Sequence, residues 1–213
     1  MWLEYIFNNN KRFQDQYEIK DKVILCYFTE IITAFNQVKN KEKIMKFTVE
    51  NMKKEDFSEM MRIYEEGIKT GISTFQTEAP TFAQWDKGHI KECRLVARHE
   101  ECILGWIALS KIFSREVYNG FLEVSIYIDE KYRGNGVGQS LLNSVIEESE
   151  KHGFWSLQSL IIKENKASIA LHEKCGFRKV GYWEKAGKMP HNSVWYDVVV
   201  MERRSQTIGI NKK

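Results

Sequence analysis

The amino-acid sequence predicts an α/β fold: a mixed central β-sheet flanked by helices, with an extra amphipathic helix at the N-terminus. Strand patterns follow one another early in the domain and then alternate with helix patterns, and this order is typical of a mixed sheet in one domain. The 213 residues, of which 43% are hydrophobic, suffice for one substantial core. We predict this domain at residues 45–204, between an N-terminal extension (1–44) and a C-terminal tail (205–213).

The N-terminal extension is predicted to be helical, because apolar side chains recur along it at helical spacing. The stripe consists of Val23, Ile24, Tyr27, Phe28, Ile31, Ile32 and Phe35. Packing of this stripe on protein is favoured over a membrane surface, since the polar face is not especially basic. Whether Met45 is the start of the protein, with the preceding residues as an upstream extension, stays open.

The first half of the domain is predicted to contain two helices among four strands. Asp56 is placed to cap a helix that ends near Gly71. Thr81, followed three residues later by Gln84, has capping-box spacing, which predicts a second helix through residue 90. The strands are predicted at 47–49, 94–98, 103–109 and 121–128.

The second half of the domain alternates between helices and strands. A helix with an apolar side is predicted from about Gly136 to His152, and Asn165 is placed to cap a helix that reaches Cys175. Strands are predicted at 157–162, 177–182 and 194–201.

Composition argues against several classes of protein. A net charge of +3 is too small to indicate a nucleic-acid partner, and the basic cluster at 39–46 is more typical of a solvated linker than of a phosphate site. The cysteines show no metal-binding or disulfide spacing: Cys26, Cys93, Cys102 and Cys175. Glu4 stands where a signal peptide carries basic residues, and no apolar run is long enough to span a bilayer, so we expect a cytoplasmic protein without a membrane partner.

A glycine-rich loop follows the predicted strand at 121–128 and leads into a helix. It reads Arg133-Gly134-Asn135-Gly136-Val137-Gly138. A glycine turn between a strand and a helix N-terminus is suited to phosphate, because backbone N–H groups and the helix dipole favour negative charge. The spacing is neither the dinucleotide pattern nor the Walker pattern. A tight turn that needs glycines for structure alone stays an alternative.

This loop resembles the acetyl-CoA pyrophosphate loop of the GNAT N-acetyltransferase superfamily, whose pattern is Gln/Arg-x-x-Gly-x-Gly/Ala. Four further stretches resemble the phosphinothricin acetyltransferase branch: 73–77, 123–128, 165–177 and 195–197. The resemblance extends over roughly residues 47–204. It implies an acetyl-CoA-dependent N-acetyltransferase that acts on the primary amine of a small amino acid or analogue, and it implies a homodimer.

Glu123 is the candidate general base. Strand alternation places it with Ser125 and Tyr127 on one face, predicted to look into a ligand cleft, and places the apolar side chains Leu122, Val124, Ile126 and Ile128 on the core face. A carboxylate in a partly apolar cleft has a raised pKa, which suits a base. An ordinary solvent-facing glutamate is the alternative from the residues alone. The resemblance implies the base, acting directly or through water.

The resemblance also implies the residues that bind the coenzyme. The pyrophosphate is expected on Arg133, Gly134, Asn135, Gly136, Val137, Gly138 and Gln139. The thioester and pantetheine arm are expected along the backbone of Ile126, Tyr127 and Ile128. Asn165, Ser168 and His172 lie along one helix face, and Asn165 is expected to bind the pantetheine arm. His172 stands where many superfamily members carry the tyrosine that protonates the departing thiolate, although a surface histidine without a role remains equally open.

The amine site is the least constrained by the sequence. Its candidate residues are Phe75, Phe113, Arg115, Tyr118 and Trp195. Arg115 suits a carboxylate, and the branch often shows two arginines in this loop, where Phe113 now occupies the second position. An amino-acid-like amine therefore stays plausible while phosphinothricin itself is less favoured. A non-catalytic acyl-CoA-binding sensor and an enzyme that acts on a protein amine are the competing hypotheses.

Overall fold

The structure is a computed structural model that describes residues 45–210. Its strands are β1 (Thr48–Asn51), β2 (His89–His99), β3 (Cys102–Lys111), β4 (Phe121–Ile128), β5 (Ser156–Ile162), β6 (Arg178–Lys188) and β7 (Trp195–Arg204). Its helices are α1 (Phe57–Lys69), α2 (Phe82–Gly88), α3 (Val137–Lys151) and α4 (Lys166–Lys174). The predicted N-terminal helix lies outside the described residues, and the domain boundaries stay predictions.

The seven strands form one sheet in the order β1-β2-β3-β4-β5-β7-β6. All neighbouring strands are antiparallel except β4 and β5, which are parallel. The predicted mixed sheet flanked by helices is therefore confirmed. In the part of the chain that is described, no helix is both long and apolar enough to cross a membrane.

The two parallel strands are paired over only a short stretch. Phe121, Leu122 and Glu123 of β4 are in register with residues 156–158 of β5, and the pairing ends there. The rest of β4 remains paired with β3 on its other side. Because β4 and β5 separate after Glu123, a gap opens in the middle of the sheet.

One face of the sheet is covered by α1 and α2 through an aromatic core. Tyr127 stacks on Trp106, with ring centroids 5.0 Å apart, and meets Tyr64 edge-on at 4.7 Å. The indole of Trp106 donates a hydrogen bond of 2.9 Å to the carbonyl of Met60. The face predicted to look into a cleft is therefore part of the core at Tyr127, because α1 covers this end of β4.

The opposite face of the sheet is covered by α3. Leu141, Leu142 and Val145 of this helix are fully buried, as is Leu122 of β4. Gly138, in the first turn of α3, lies close to Ile128, since a Cβ on this glycine would stand 3.6 Å from the Ile128 side chain. The apolar face predicted for β4 thus meets α3, but Val124, Ile126 and Ile128 on that face also line the cleft described below, and the last two are only half-buried.

Two of the three predicted helix caps are present. Thr81 and Gln84 form the reciprocal capping box of α2, and the Asn165 side chain accepts a hydrogen bond of 3.1 Å from the amide of Ser168. Asp56 stands at the N-cap position of α1 as predicted, but its side chain makes no capping hydrogen bond, because its carboxylate accepts hydrogen bonds of 2.8 Å from the Lys53 amide and the Arg98 guanidinium. Arg98 is 42 residues away on β2, so the sequence around Asp56 does not predict that it binds this carboxylate.

Candidate functional site

A cleft of about 950 Å³ lies where β4 and β5 separate. Its lining includes residues 123–128 of β4, residues 159–162 of β5 and most of the glycine loop. The connection between α1 and α2 and one side of α4 complete it. The gap in the sheet thus brings together the segments that the sequence analysis had singled out separately.

The glycine loop has a backbone that only glycine adopts without strain. Gly134 and Gly136 have φ of +79° and +81°, and a Cβ on either residue would meet nothing within 4 Å. Gly136 is the N-cap of α3, and no side chain caps this helix. A ligand can therefore approach the start of the helix closely.

The first turn of α3 is suited to an anion. The first backbone bond of the helix runs from the Ser140 amide to the Gly136 carbonyl, so the amides of Val137, Gly138 and Gln139 have no acceptor within residues 45–210. The first turn carries no acidic residue. These amides and the helix dipole favour a phosphate group.

Two cationic side chains line the cleft, Arg133 from the glycine loop and Lys174 from α4. Arg133 is exposed, and its Nε donates to the Ile128 carbonyl at 3.3 Å, which leaves its terminal nitrogens available to a ligand. Lys174, at the end of α4, was not identified from the sequence. Asn135 is exposed and its side chain donates to the Arg133 carbonyl at 3.3 Å, outside the cleft lining.

The gap between β4 and β5 is suited to an extended chain with amide groups. Residues 124–128 of β4 have no strand partner on the β5 side, so their backbone groups on that edge are available to a ligand. Three buried polar atoms of cleft-lining residues have no partner among the described residues: Trp85 Nε1, Ser159 Oγ and His172 Nε2. The helix terminus suits the phosphates of CoA, and the unpaired edge of β4 suits the amide groups of its extended arm. Together with the unpartnered polar atoms, these features fit a CoA thioester.

Glu123 lies at the inner end of this gap, at the last paired position of β4 and β5. Its side chain is half-buried and lines the cleft. No hydrogen bond or ion pair to its carboxylate is found in the described segment. Burial without a compensating partner raises the pKa of Glu123 above its ordinary value of 4.5. This carboxylate is available to accept a proton from a molecule in the cleft.

His172 is a buried residue, 1% exposed, so the alternative of a surface histidine is wrong. Its Nδ1 donates to the Ser168 carbonyl at 2.8 Å, which makes Nε2 the unprotonated nitrogen of the neutral ring. The ring packs edge-on against Phe177, with centroids 4.9 Å apart. Burial lowers the pKa of His172 below 6.5, so the ring is neutral near pH 7.

The lining of the cleft is also rich in aromatic residues. The ring of Phe75 lies directly on Gly187 of β6, where a Cβ would be 2.6 Å from it. Trp85, His89 and Trp183 also line the cleft, and sequence analysis identified none of them as site residues. His89 immediately follows α2, and Trp183 lies one residue beyond the predicted strand, so neither carried a local signal of function.

Four candidates for the amine site lie outside the lining of this cleft: Phe113, Arg115, Tyr118 and Trp195. Phe113 and Tyr118 pair with each other at 4.9 Å, and the Arg115 guanidinium lies 5.8 Å from the Tyr118 ring centroid. Trp195 is 56% exposed. It lies on the opposite face of β7 from Val198, which lines the cleft, because side chains alternate along a strand. Contact of these four residues with a substrate stays a prediction.

Comparison with known proteins agrees with this geometry. Residues 57–177 match the Acetyltransferase (GNAT) family. YwnH of Bacillus subtilis (strain 168) is 33% identical over 153 residues, which are 70% of this chain and 93% of that protein. The phosphinothricin N-acetyltransferase of Alcaligenes faecalis is 29% identical over 163 residues, which are 73% of this chain and 81% of that protein.

A solved structure shows the same fold. The phosphinothricin acetyltransferase of Sinorhizobium meliloti, crystallised in complex with AcCoA, superposes with a TM-score of 0.70 at 25% identity and covers 79% of this chain and 93% of its own. The glycine loop, the gap between β4 and β5 and these matches lead to one conclusion. The chain belongs to the acetyltransferase (GNAT) family and is an N-acetyltransferase that takes its acetyl group from acetyl-CoA.

Proposed function

We propose that this acetyltransferase acts on the primary amine of a small amino acid or analogue, of the phosphinothricin or methionine sulfone kind, with Glu123 as its general base. The observation that supports this most directly is the position of Glu123. Its half-buried carboxylate, without a partner in the described chain, lies at the inner end of the gap between β4 and β5. The anion-binding helix terminus lies in the same cleft.

When bound, acetyl-CoA supplies an acetyl group activated as a thioester. The amides of Val137, Gly138 and Gln139, with Arg133 beside them, are proposed to hold the pyrophosphate. The free edge of β4 at Ile126, Tyr127 and Ile128 is proposed to hold the pantetheine arm and the thioester. Asn165 and Ser168 are proposed to contribute from α4; the Asn165 oxygen is occupied as the helix cap, so its amide nitrogen is the available group.

Proton transfer in this proposal involves two residues. Glu123 accepts a proton from the ammonium group of the substrate, directly or through a water molecule, because only the free amine is a nucleophile. Its raised pKa makes the carboxylate a stronger base than an exposed glutamate. His172 is proposed to accept at Nε2 the second proton that the attacking nitrogen loses and to pass it to the departing thiolate, while the Ser168 carbonyl keeps the ring oriented through Nδ1.

Two parts of the proposal concern the assembly and location of the protein, the first implied by the family resemblance and the second by the sequence pattern at its N-terminus. We propose that the protein is a homodimer, which light scattering of the purified protein will test. We also propose that it works in the cytoplasm.

The decisive experiment is an assay of thiol release from acetyl-CoA over a panel of amines. The panel contains methionine sulfone, methionine sulfoximine, phosphinothricin, the common amino acids and peptides with free N-termini. We expect turnover with one or more of the small amines. Tight CoA binding without turnover of any amine would favour a sensor, and turnover of peptides only would favour an enzyme that acts on proteins.

A further inference from the structure

Three polar residues lie in one row across neighbouring strands of the sheet. His89 of β2 is directly opposite Ser110 of β3, and Ser110 is directly opposite Glu123 of β4. Directly opposed residues of antiparallel strands share a face of the sheet. Since such partners lie about 4.5 or 5.5 Å apart, the Cα atoms of His89 and Glu123 are about 10 Å apart. Both residues line the cleft.

The His89 ring is held so that one nitrogen is left for a ligand or a proton. Its Nδ1 donates to the carbonyl of Trp85 at 2.8 Å, and the ring stacks on the Trp85 indole with centroids 4.5 Å apart. The neutral ring therefore has its lone pair on Nε2. None of the residues 45–210 forms a hydrogen bond with Nε2. The orientation of the ring is thus determined by Trp85, which leaves Nε2 available.

We propose that His89 is a second proton-handling residue of the acetyltransferase, which receives the substrate proton from Glu123. This inference rests on the proposed role of Glu123 as base. The ammonium N–H bond breaks as Glu123 gains a proton at a carboxylate oxygen. That proton then passes through the Ser110 hydroxyl or one water molecule to Nε2 of His89. Glu123 is a carboxylate again, and the His89 imidazolium releases the proton to solvent.

The surroundings of His89 keep its resting ring neutral and make its imidazolium form short-lived. Burial and the charge of Arg94 lower the pKa of His89, against the effect of its hydrogen bond to Trp85, so the ring is neutral and able to accept near pH 7. Arg94 of β2 donates to the His89 carbonyl at 2.7 Å and is paired with Asp86 of α2. Glu123 is the charged group that faces it from β4. A proton that leaves the half-buried Glu123 for this ring is therefore only briefly held.

Substitution of His89 distinguishes this role from a structural one. His89→Asn retains a donor near the position of Nδ1 for the Trp85 carbonyl but removes Nε2. His89→Ala removes both ring nitrogens and leaves space for added imidazole. The matched control is His152→Asn, because His152 has the same Nδ1 bond to a carbonyl four residues earlier, at 2.9 Å, but is an exposed residue just after α3, outside the cleft lining.

The readout is thiol release from acetyl-CoA with the first amine of the panel that the wild type acetylates. We expect kcat to fall at least about tenfold in both His89 variants, with KM for acetyl-CoA unchanged. Imidazole is expected to restore His89→Ala, in proportion to its free-base form. Wild-type kcat in His89→Asn, or a loss in His89→Ala that imidazole does not restore, would overturn the proposal. No turnover by the wild type with any amine would instead refute the proposed function.

Discussion

Glu123 of β4 and Gln158 of β5 form the last pair of the parallel register before these two strands separate. The carboxylate is thereby attached to the rigid, paired part of the sheet while it borders the opening. Preorganisation of this kind is what a catalytic base requires, because its position does not depend on a loop. The same separation exposes the edge of β4 that is proposed to bind the coenzyme.

The pH dependence of the reaction is expected to reflect the environment of Glu123. A base acts only when unprotonated, so kcat/KM falls as the pH drops through the Glu123 pKa of the free enzyme. Because burial raises this pKa, we expect the acid limb of kcat/KM to be centred above 4.5. The measurement uses an amine that stays fully protonated over the acid range. An acid limb centred at or below 4.5 would be inconsistent with a desolvated base.

Substitution of Gly136 tests the anion end of the cleft. Gly136→Ala places a side chain at φ +81°, and a left-handed non-glycine residue costs about 1–2 kcal/mol. We expect relief of this strain to displace the loop and to raise KM for acetyl-CoA about tenfold. Gly153→Ala is the matched control, because Gly153 has φ +79° and equally open space at the other end of α3. Equal effects of the two substitutions on KM would mean that the loop does not bind the coenzyme.

The buried His172 is expected to make stability depend on pH. Its folded-state pKa lies below 6.5, the value of an unperturbed histidine, so the unfolded chain binds the proton first. The contribution is fully present above pH 6.5 and is lost as the pH falls from there towards the folded-state pKa. Urea unfolding at several pH values is expected to show this decline in the wild type and a smaller one in His172→Asn. An equal loss of stability in both proteins would show that groups other than His172 cause it.

The contact between Phe75 and Gly187 provides a test of whether Phe75 belongs to the amine site. A methyl group at Gly187 would stand 2.6 Å from the Phe75 ring, so Gly187→Ala must displace that ring. We expect KM for the amine to rise about tenfold while KM for acetyl-CoA is unchanged. Gly181→Ala is the control on the same strand, since a methyl group there would make an ordinary contact of 3.5 Å with Val200. An unchanged KM for the amine in Gly187→Ala would place Phe75 outside the amine site.

The local sequence was sufficient to predict those features that depend on interactions between neighbouring residues. The strand, glycine turn and helix around Gly136 follow from turn and capping rules, as does the cap at Asn165. The period of two along β4 correctly placed Glu123 at a cleft and Leu122 against a helix.

Long-range pairing explains what could not be predicted. His89 joins Glu123 only through the register of three strands. Trp183 reaches the cleft from β6, whose pairing with β7 is irregular between Trp183 and Gly187. The partner of Asp56 is likewise set by tertiary contact with Arg98. None of these relationships is encoded within a short window of sequence.

Comparison of the wild type with Glu123→Gln tests the central claim most directly. The measurement is the rate of thiol release from saturating acetyl-CoA with an amine that the wild type acetylates, alongside the dissociation constant of CoA. Glu101→Gln, in the exposed turn between β2 and β3, is the control. The account predicts that Glu123→Gln lowers kcat by about 10²- to 10⁴-fold while CoA binding is retained. A Glu123→Gln enzyme that keeps the wild-type rate would contradict it.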